Sequence, residues 1–294
     1  MDQIFGIPIN AFMGQLLIGL INGSFYALLS LGLAVIFGLL NIINFTHGAQ
    51  YMMGAFAAYF LLNKLGMNYW WALVVAPLAV GATGVVIERF MLSKLYKLDH
   101  LYGLLLTFGL ALIIEGVFRN EFGSAGLPYS MPSALEGGHA LGFMFLPNYR
   151  AWVIGASLVV CIGTWLLIEK TKLGAYLRAA TENPKMVEAF GVNVPRMITL
   201  TYGFGVGLAA LAGVFAAPIY QVSPQMGSSL IIVVFAVVVI GGMGSILGAV
   251  VTGFGLGIIE GLTKVFYPEA SNTVIFVIMA IVLMIRPQGL FGQR

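Results

Sequence analysis

Charge is what this chain has least of. Charged residues are 9% of its 294 positions, against about 25% in soluble proteins. With 60% hydrophobic residues and a mean hydropathy of +0.98, an ordinary soluble domain is excluded. Cysteine is nearly absent: Cys161 stands alone inside an apolar run, which rules out an intramolecular disulfide and reads as a small core residue. Histidine is equally sparse, and His47, His100 and His139 fall in separate segments without neighbouring ligands, so no metal centre is expected. There is no G-x-x-x-x-G-K-[ST] phosphate loop and no nucleophile-and-base arrangement, so neither a nucleotide site nor an enzyme has positive support. After Asp2 the next charged residue is Lys64, which leaves no basic segment ahead of the first apolar run, and that run is expected to be retained.

What the chain does have is long apolar runs. They fall near residues 12–39, 48–62, 71–87, 101–118, 152–168, 198–219, 230–262 and 274–285, each able to supply the roughly 20 residues of a crossing or close to it. The expected fold is an all-α polytopic membrane protein, one domain over 1–294, with about eight transmembrane helices and one or two broken or re-entrant segments. Basic residues near span ends mark the cytoplasmic side. The loop 169–196 holds Lys170, Lys172, Arg178, Lys185 and Arg196, and 88–100 holds Arg89, Lys94 and Lys97. Both are therefore placed inside, and the Gly- and Pro-rich segment 119–150 becomes an external loop. Tyr69, Trp70, Trp71, Tyr149 and Trp152 fall at outer span ends, where aromatic rings favour the headgroup region.

Eight charges are concentrated in the 28 residues 169–196, whereas the 63 residues 197–259 carry none. A polar loop set into an apolar protein is expected to meet a soluble partner. Within it Asn183 suits an N-cap, Pro184 the first helical position and Gly191 the residue past the end, giving a helix over 184–190 too short to stand alone. Met186, Val187, Ala189 and Phe190 supply its apolar contacts, and a second helix over 173–180 places Leu173, Tyr176 and Leu177 on one side. Such an element either lies on the membrane surface or docks a partner; capping at both ends favours docking.

Two stretches are too long for one straight crossing. Residues 230–262 carry Gly241, Gly242 and Gly244 at their middle, and a break there would bring the C-terminus inside. Residues 12–39 run on into the polar stretch 41–47 and are expected to be interrupted likewise, the pattern of discontinuous helices around a pathway. Small residues recur every four positions: Gly241, Ser245, Ala249, Gly253, Gly257 and Gly261; Gly205, Ala209, Gly213 and Ala217; Gly19, Gly23 and Ala27. Such ridges let helices approach closely in lipid, within the chain or against a second subunit, as static packing or as a moving interface.

The run from Gly174 to Asn183, followed by Glu188-Ala189-Phe190-Gly191-Val192-Asn193-Val194, resembles the cytoplasmic loop of bacterial branched-chain amino acid ABC transporter permeases of the LivH type. Asn41-Ile42-Ile43-Asn44-Phe45-Thr46-His47-Gly48, the glycine-rich Gly241 to Ala249 and Arg286-Pro287-Gln288-Gly289-Leu290-Phe291-Gly292 agree in the same order. The resemblance implies a permease in the bacterial inner membrane, paired with a second homologous permease. It further implies two ATP-binding subunits that hold ATP and Mg, so that this chain carries no cofactor of its own. A periplasmic binding protein would deliver solute, and nucleic acid has no part. ATPase coupling would rest on Arg178, Glu182, Pro184, Glu188, Ala189 and Gly191. Val233 stands where some relatives carry a basic residue, which leaves amides, urea or small organic acids open as cargo beside branched-chain amino acids. An ATP-independent channel or secondary carrier is the remaining alternative.

Polar residues at membrane depth are candidate pathway groups: Asn41, Asn44, His47, Gln50 and Glu260, with Asn22 and Glu115. Each also has a plain structural reading. Glu115 and Arg119 are four apart and suit an ion pair, Asn41 and Asn44 suit caps of a helix break, His47 suits a hydrogen-bonded interior group and Glu260 a structural contact.

Overall fold

Lipid offers no hydrogen-bond partner, so a chain this apolar must satisfy its backbone within its own helices. The computed structural model, which describes residues 3–4, 7–40 and 44–292, is built in that way. Its elements are β1 (Gln3–Ile4), β2 (Ile7–Pro8), α1 (Ile9–Leu40), α2 (Thr46–Leu65), α3 (Tyr69–Phe90), α4 (His100–Phe122), β3 (Gly138–Ala140), β4 (Phe145–Pro147), α5 (Asn148–Lys170), α6 (Lys172–Glu182), α7 (Pro184–Ala189), α8 (Val194–Ala216), α9 (Met226–Gly241), α10 (Ile246–Phe266) and α11 (Val274–Ile285). The strands form two short antiparallel hairpins, a small addition to the expected all-α design. Among the described residues, six helices (α1, α3, α4, α5, α8 and α10) are long and apolar enough to cross a membrane, and α9 and α11 are shorter apolar helices. The chain is a helical, multi-pass membrane protein.

The basic loops share one face: Leu95 and Asp99 line a groove together with Ala180 and Pro184. The expected aromatic belt occupies the other face, where the Trp70 and Trp152 rings meet at 5.3 Å and Tyr69 and Tyr149 at 5.7 Å. The Tyr149 hydroxyl donates to the Phe215 carbonyl oxygen at 3.0 Å, which ties the end of α8 into that belt. The loop of this face is shorter than the expected 119–150, because α4 continues to Phe122 and α5 starts at Asn148. Glycines at positive φ, Gly123, Gly137 and Gly142, turn it, and Leu127 and Val222 exchange backbone hydrogen bonds of 2.8 and 2.9 Å.

The stretch 230–262 breaks where expected. Gly242 and Gly244, at φ +103° and +84°, turn the chain between α9 and α10. The backbone N–H groups of Leu290 and Phe291 donate to the Ile240 and Gly241 carbonyls at 2.8 and 3.0 Å, satisfying the end of α9. Residues 286–292 thus return to the break. Phe291, Met243 and Ser245 line a cavity with Glu169 and Arg178, so the break and the C-terminal segment lie on the basic face.

The first long stretch does not break. Helix α1 runs 32 residues without interruption, because its glycines are contact points rather than hinges. A Cβ on Gly19 would lie 2.5 Å from the Gly257 carbonyl oxygen, one on Gly257 would lie 2.3 Å from Gly23 Cα, and one on Gly253 would lie 2.5 Å from Ala27 Cα. Helix α10 is pressed along α1 through these points. The discontinuity comes after α1, in a polar stretch of which residues 41–43, Asn41 included, lie outside the described residues.

The second ridge is also internal, with Gly205 against Gly32 of α1 and Gly213 against Tyr51 of α2. Gly257→Ala is therefore expected to lower stability in detergent by about 1–3 kcal/mol through overpacking. Gly255→Ala, at a position with open space around it, should stay within about 0.5 kcal/mol of wild type, as thermal unfolding of the two purified variants will show.

Candidate functional site

Two regions carry the polar chemistry: the loop on the basic face and the interior around α1 and α2. In the loop, the Asn183 side chain accepts from Met186 N at 3.0 Å, Pro184 opens α7, and Gly191 stands at φ +85°. The helix ends one residue earlier than expected, at Ala189. Only Val187 of α7 is buried, in a small core with Ala180 of α6 and Val194 of α8. Pro184, Glu188 and Ala189 are exposed, as is Glu182 at the end of α6. Met186 is 59% and Phe190 80% exposed, an apolar tip that nothing in this chain covers among the described residues.

Arg178 points back rather than out. Its guanidinium donates to the Ile168 carbonyl at 3.2 Å and pairs with Glu169 at 3.3 Å, fastening α6 to the end of α5. The packed face of α6 is Gly174, Leu177 and Ala180, not the expected Leu173, Tyr176 and Leu177. The reason is Gly174, where a Cβ would meet the Ile168 carbonyl oxygen at 1.6 Å. The helix rolls onto its glycine and leaves Leu173 and Tyr176 in an adjoining groove with Leu200 and Phe204. Nearby, the Tyr96 hydroxyl donates to the buried Glu88 at 2.5 Å. Burial, then the hydrogen bond and charge of Glu88, push the Tyr96 hydroxyl far above the ordinary tyrosine range.

In the interior, Asn44, Thr46, His47 and Gln50 come together, each fully or almost fully buried. The Asn44 amide donates to Gln50 Oε1 at 3.3 Å and Thr46 donates to Asn44. His47 Nε2 lies 3.0 Å from the Leu29 carbonyl of α1, and the Tyr202 hydroxyl faces Gln50, Thr46 and Asn44. The residue before α2 is Phe45, and no side chain caps that helix, so Asn44 braces the start of α2 through Gln50 rather than as a cap. Glu115 pairs with Arg119 at 2.5 Å.

Asn22 and Glu260 belong to a different place. A cavity of about 310 Å³ lies between α1, α2, the start of α9 and the segment 220–223; Asn22, Phe25, Tyr26, Tyr51, Tyr220 and Ser229 are among its lining residues. Tyr220 donates to Asn22 Oδ1 at 3.2 Å. Behind the wall the Tyr26 hydroxyl donates to Glu260 Oε2 at 2.7 Å, and Lys264 donates to Glu260 Oε1 at 2.5 Å. The hydrophobicity of the sequence hid the three tyrosines. The spacing of Glu260 and Lys264, four apart on one helix, was a usable sign of their pairing.

A bundle of apolar helices with an amide- and phenol-lined cavity and a capped helix standing off one face defines a solute permease. Residues 15–283 match the family described as the branched-chain amino acid transport system permease component, and the chain belongs to that family. It is 30% identical to the high-affinity branched-chain amino acid transport system permease protein LivH of Escherichia coli strain K12, over 96% of each chain. It is also 30% identical to BraD of Pseudomonas aeruginosa strain PAO1, again over 96% of each. With LivM of Escherichia coli K12 it shares 27% identity over 90% of this chain and 67% of LivM. It is a transport subunit.

Glu260→Leu would strand the Tyr26 hydroxyl and leave Lys264 without its carboxylate. A loss of about 1–3 kcal/mol is expected, read as a lower unfolding temperature in detergent, with Glu260→Gln retaining more of the stability because its amide oxygen still accepts from Tyr26.

Proposed function

We propose that this chain is the LivH-type permease of an ATP-driven importer of branched-chain amino acids in the bacterial cytoplasmic membrane. The observation that carries the reading is the α7 tip: a helix fixed on one side by Val187 and presenting Met186 and Phe190 to water on the other. Isolated exposed apolar residues need no explanation, but two on one rigid, doubly capped turn form a docking knob. Two ATP-binding subunits, which hold ATP and Mg, dock on loop 169–196 of this chain and on its equivalent in a second, homologous permease. Similarity to both LivH and LivM supports such a pairing. A periplasmic binding protein delivers the solute to the face opposite the basic loops. In this topology the eight apolar stretches are membrane segments, the seventh folded into α9 and α10, with the C-terminus inside.

The mechanism is a switch between two arrangements. Closure of the ATPase pair on nucleotide displaces α7. The displacement passes through Val187 to α8 and through Ala180 and Arg178 to α6 and α5, changing which face the central path opens to. Glu182, Pro184, Glu188 and Ala189 form the exposed surface that the ATPases touch, and Gly191 sets the angle at which it is held. Asn44, His47, Gln50 and Glu260 line or brace the path, and Asn41, outside the described residues, is proposed with them from its sequence position alone. Amides, urea or small organic acids are the second choice of cargo.

Gly191→Val forces a β-branched residue into a left-handed position, costing about 1 kcal/mol or more, whereas Gly191→Asn is tolerated there. Co-purification in mild detergent should recover the second permease with both variants but ATPase subunits only with wild type and Gly191→Asn. Phe190→Ser should lose the ATPases as well. Uptake that continues with no ATPase subunit present would instead establish a channel or secondary carrier.

A further inference from the structure

We propose that the cavity between α1, α2 and the start of α9 is a transit pocket for the aliphatic side chain of the arriving solute, and that it sets the upper size of the cargo. The inference rests on the transport reading above and adds the residues that measure the solute. Position is the first argument. The segment 220–223 on the cavity wall is held by the backbone exchange between Val222 and Leu127 of the outer loop. The cavity therefore lies directly beneath the loop of the face opposite the basic one, where solute arrives.

The lining is the second argument. Phe25, Met226 and Leu230 supply apolar wall, while Asn22, Tyr220, Gln221, Ser223 and Ser229 supply amide and hydroxyl groups. A mostly apolar cavity with a few convergent polar groups is the usual form of a small-ligand site, and about 310 Å³ lies at the small end of the roughly 300–1,000 Å³ such sites span. A small amphipathic molecule, apolar at one end and hydrogen-bonding at the other, matches that division. A sugar would need more polar partners than these walls offer.

Rigidity is the third. Tyr26 is held by Glu260, itself held by Lys264, and the Phe25 ring packs edge-on against Tyr220 at 5.7 Å. Tyr220 is 43% exposed and closes the rim through its bond to Asn22, so that bond must exchange for one to the solute as the solute enters.

Ser229 is exposed, lines the cavity and is not packed in the core, so Ser229→Trp fills the space from its edge. In vesicles holding the assembled transporter, uptake of leucine and of alanine is compared at equal supply from the binding protein. Ser229→Trp is expected to lower the leucine-to-alanine uptake ratio at least about fivefold. An unchanged ratio, whether uptake of both is retained or lost, overturns the proposal. Should that variant fail to reach the membrane, Leu230→Ala enlarges the same cavity and must shift the ratio towards solutes longer than leucine; no shift overturns the proposal equally. Tyr220→Phe is expected to raise KM for leucine threefold or more with kcat little changed. Wild-type vesicles whose uptake is indifferent to ATP would sink the transport reading itself, a result separate from any ratio.

Discussion

Close contact of two helix backbones is the constraint on which the structure depends. Between α1 and α10 there is no water to expel, and lipid solvates leucine as well as protein does, so their association draws on dispersion and the weak polar contacts that only close approach permits. Gly19, Gly23 and Ala27 meeting Gly253 and Gly257 give that approach over about two helical turns. Its consequences extend beyond packing. The Tyr26–Glu260 hydrogen bond crosses the same interface, so the cavity wall keeps its shape only while the glycines stay in contact. At the far end of α1, Gly38 lies against Gly244 in the α9–α10 break.

The breaks follow from the same need to satisfy backbone without water. Ending α9 at Gly241 leaves its last carbonyls bare, and residues 290 and 291 return from the C-terminus to cover them. The start of α2 has no side-chain cap and is held in place by side-chain bracing instead: Asn44 to Gln50, Thr46 to Asn44 and His47 to the Leu29 carbonyl. Polar residues that the sequence offers as pathway candidates thus divide in two. Asn44, His47 and Gln50 hold a helix start in place, while Asn22, with Glu260 behind Tyr26, shapes a cavity.

Local chemistry was legible in the sequence wherever one residue type forces one conformation. The caps at Asn183 and Gly191, the break at Gly242 and Gly244 and the aromatic cluster at the span ends all follow from such residues. What stayed hidden depends on which neighbour a residue meets. Glycines in α1 and in the break look alike as letters, yet in α1 a second helix presses on them and the helix is unbroken. Leu173 and Tyr176 suit a buried helix face by spacing, but Gly174 allows a closer contact and wins. Tyr26, Tyr51 and Tyr220 are indistinguishable from lipid-facing aromatics until the fold brings them around one space.

Helix α8 links the basic face to the interior. Its first residue, Val194, shares a core with Val187 of α7. Farther along, Gly203 lies against Gly81 of α3, Gly205 against Gly32 of α1 and Gly213 against Tyr51 of α2. Backbone meets backbone at each of these points, with the β-branched side chains of Val85 and Ile36 packed beside Gly203 and Gly205. Helix α8 thus reaches from the loop on the basic face to Tyr51 and α1, which are cavity wall. The glycines that let α8 approach α1, α2 and α3 thus join the loop core at Val187 and the cavity wall at Tyr51 through one closely packed helix.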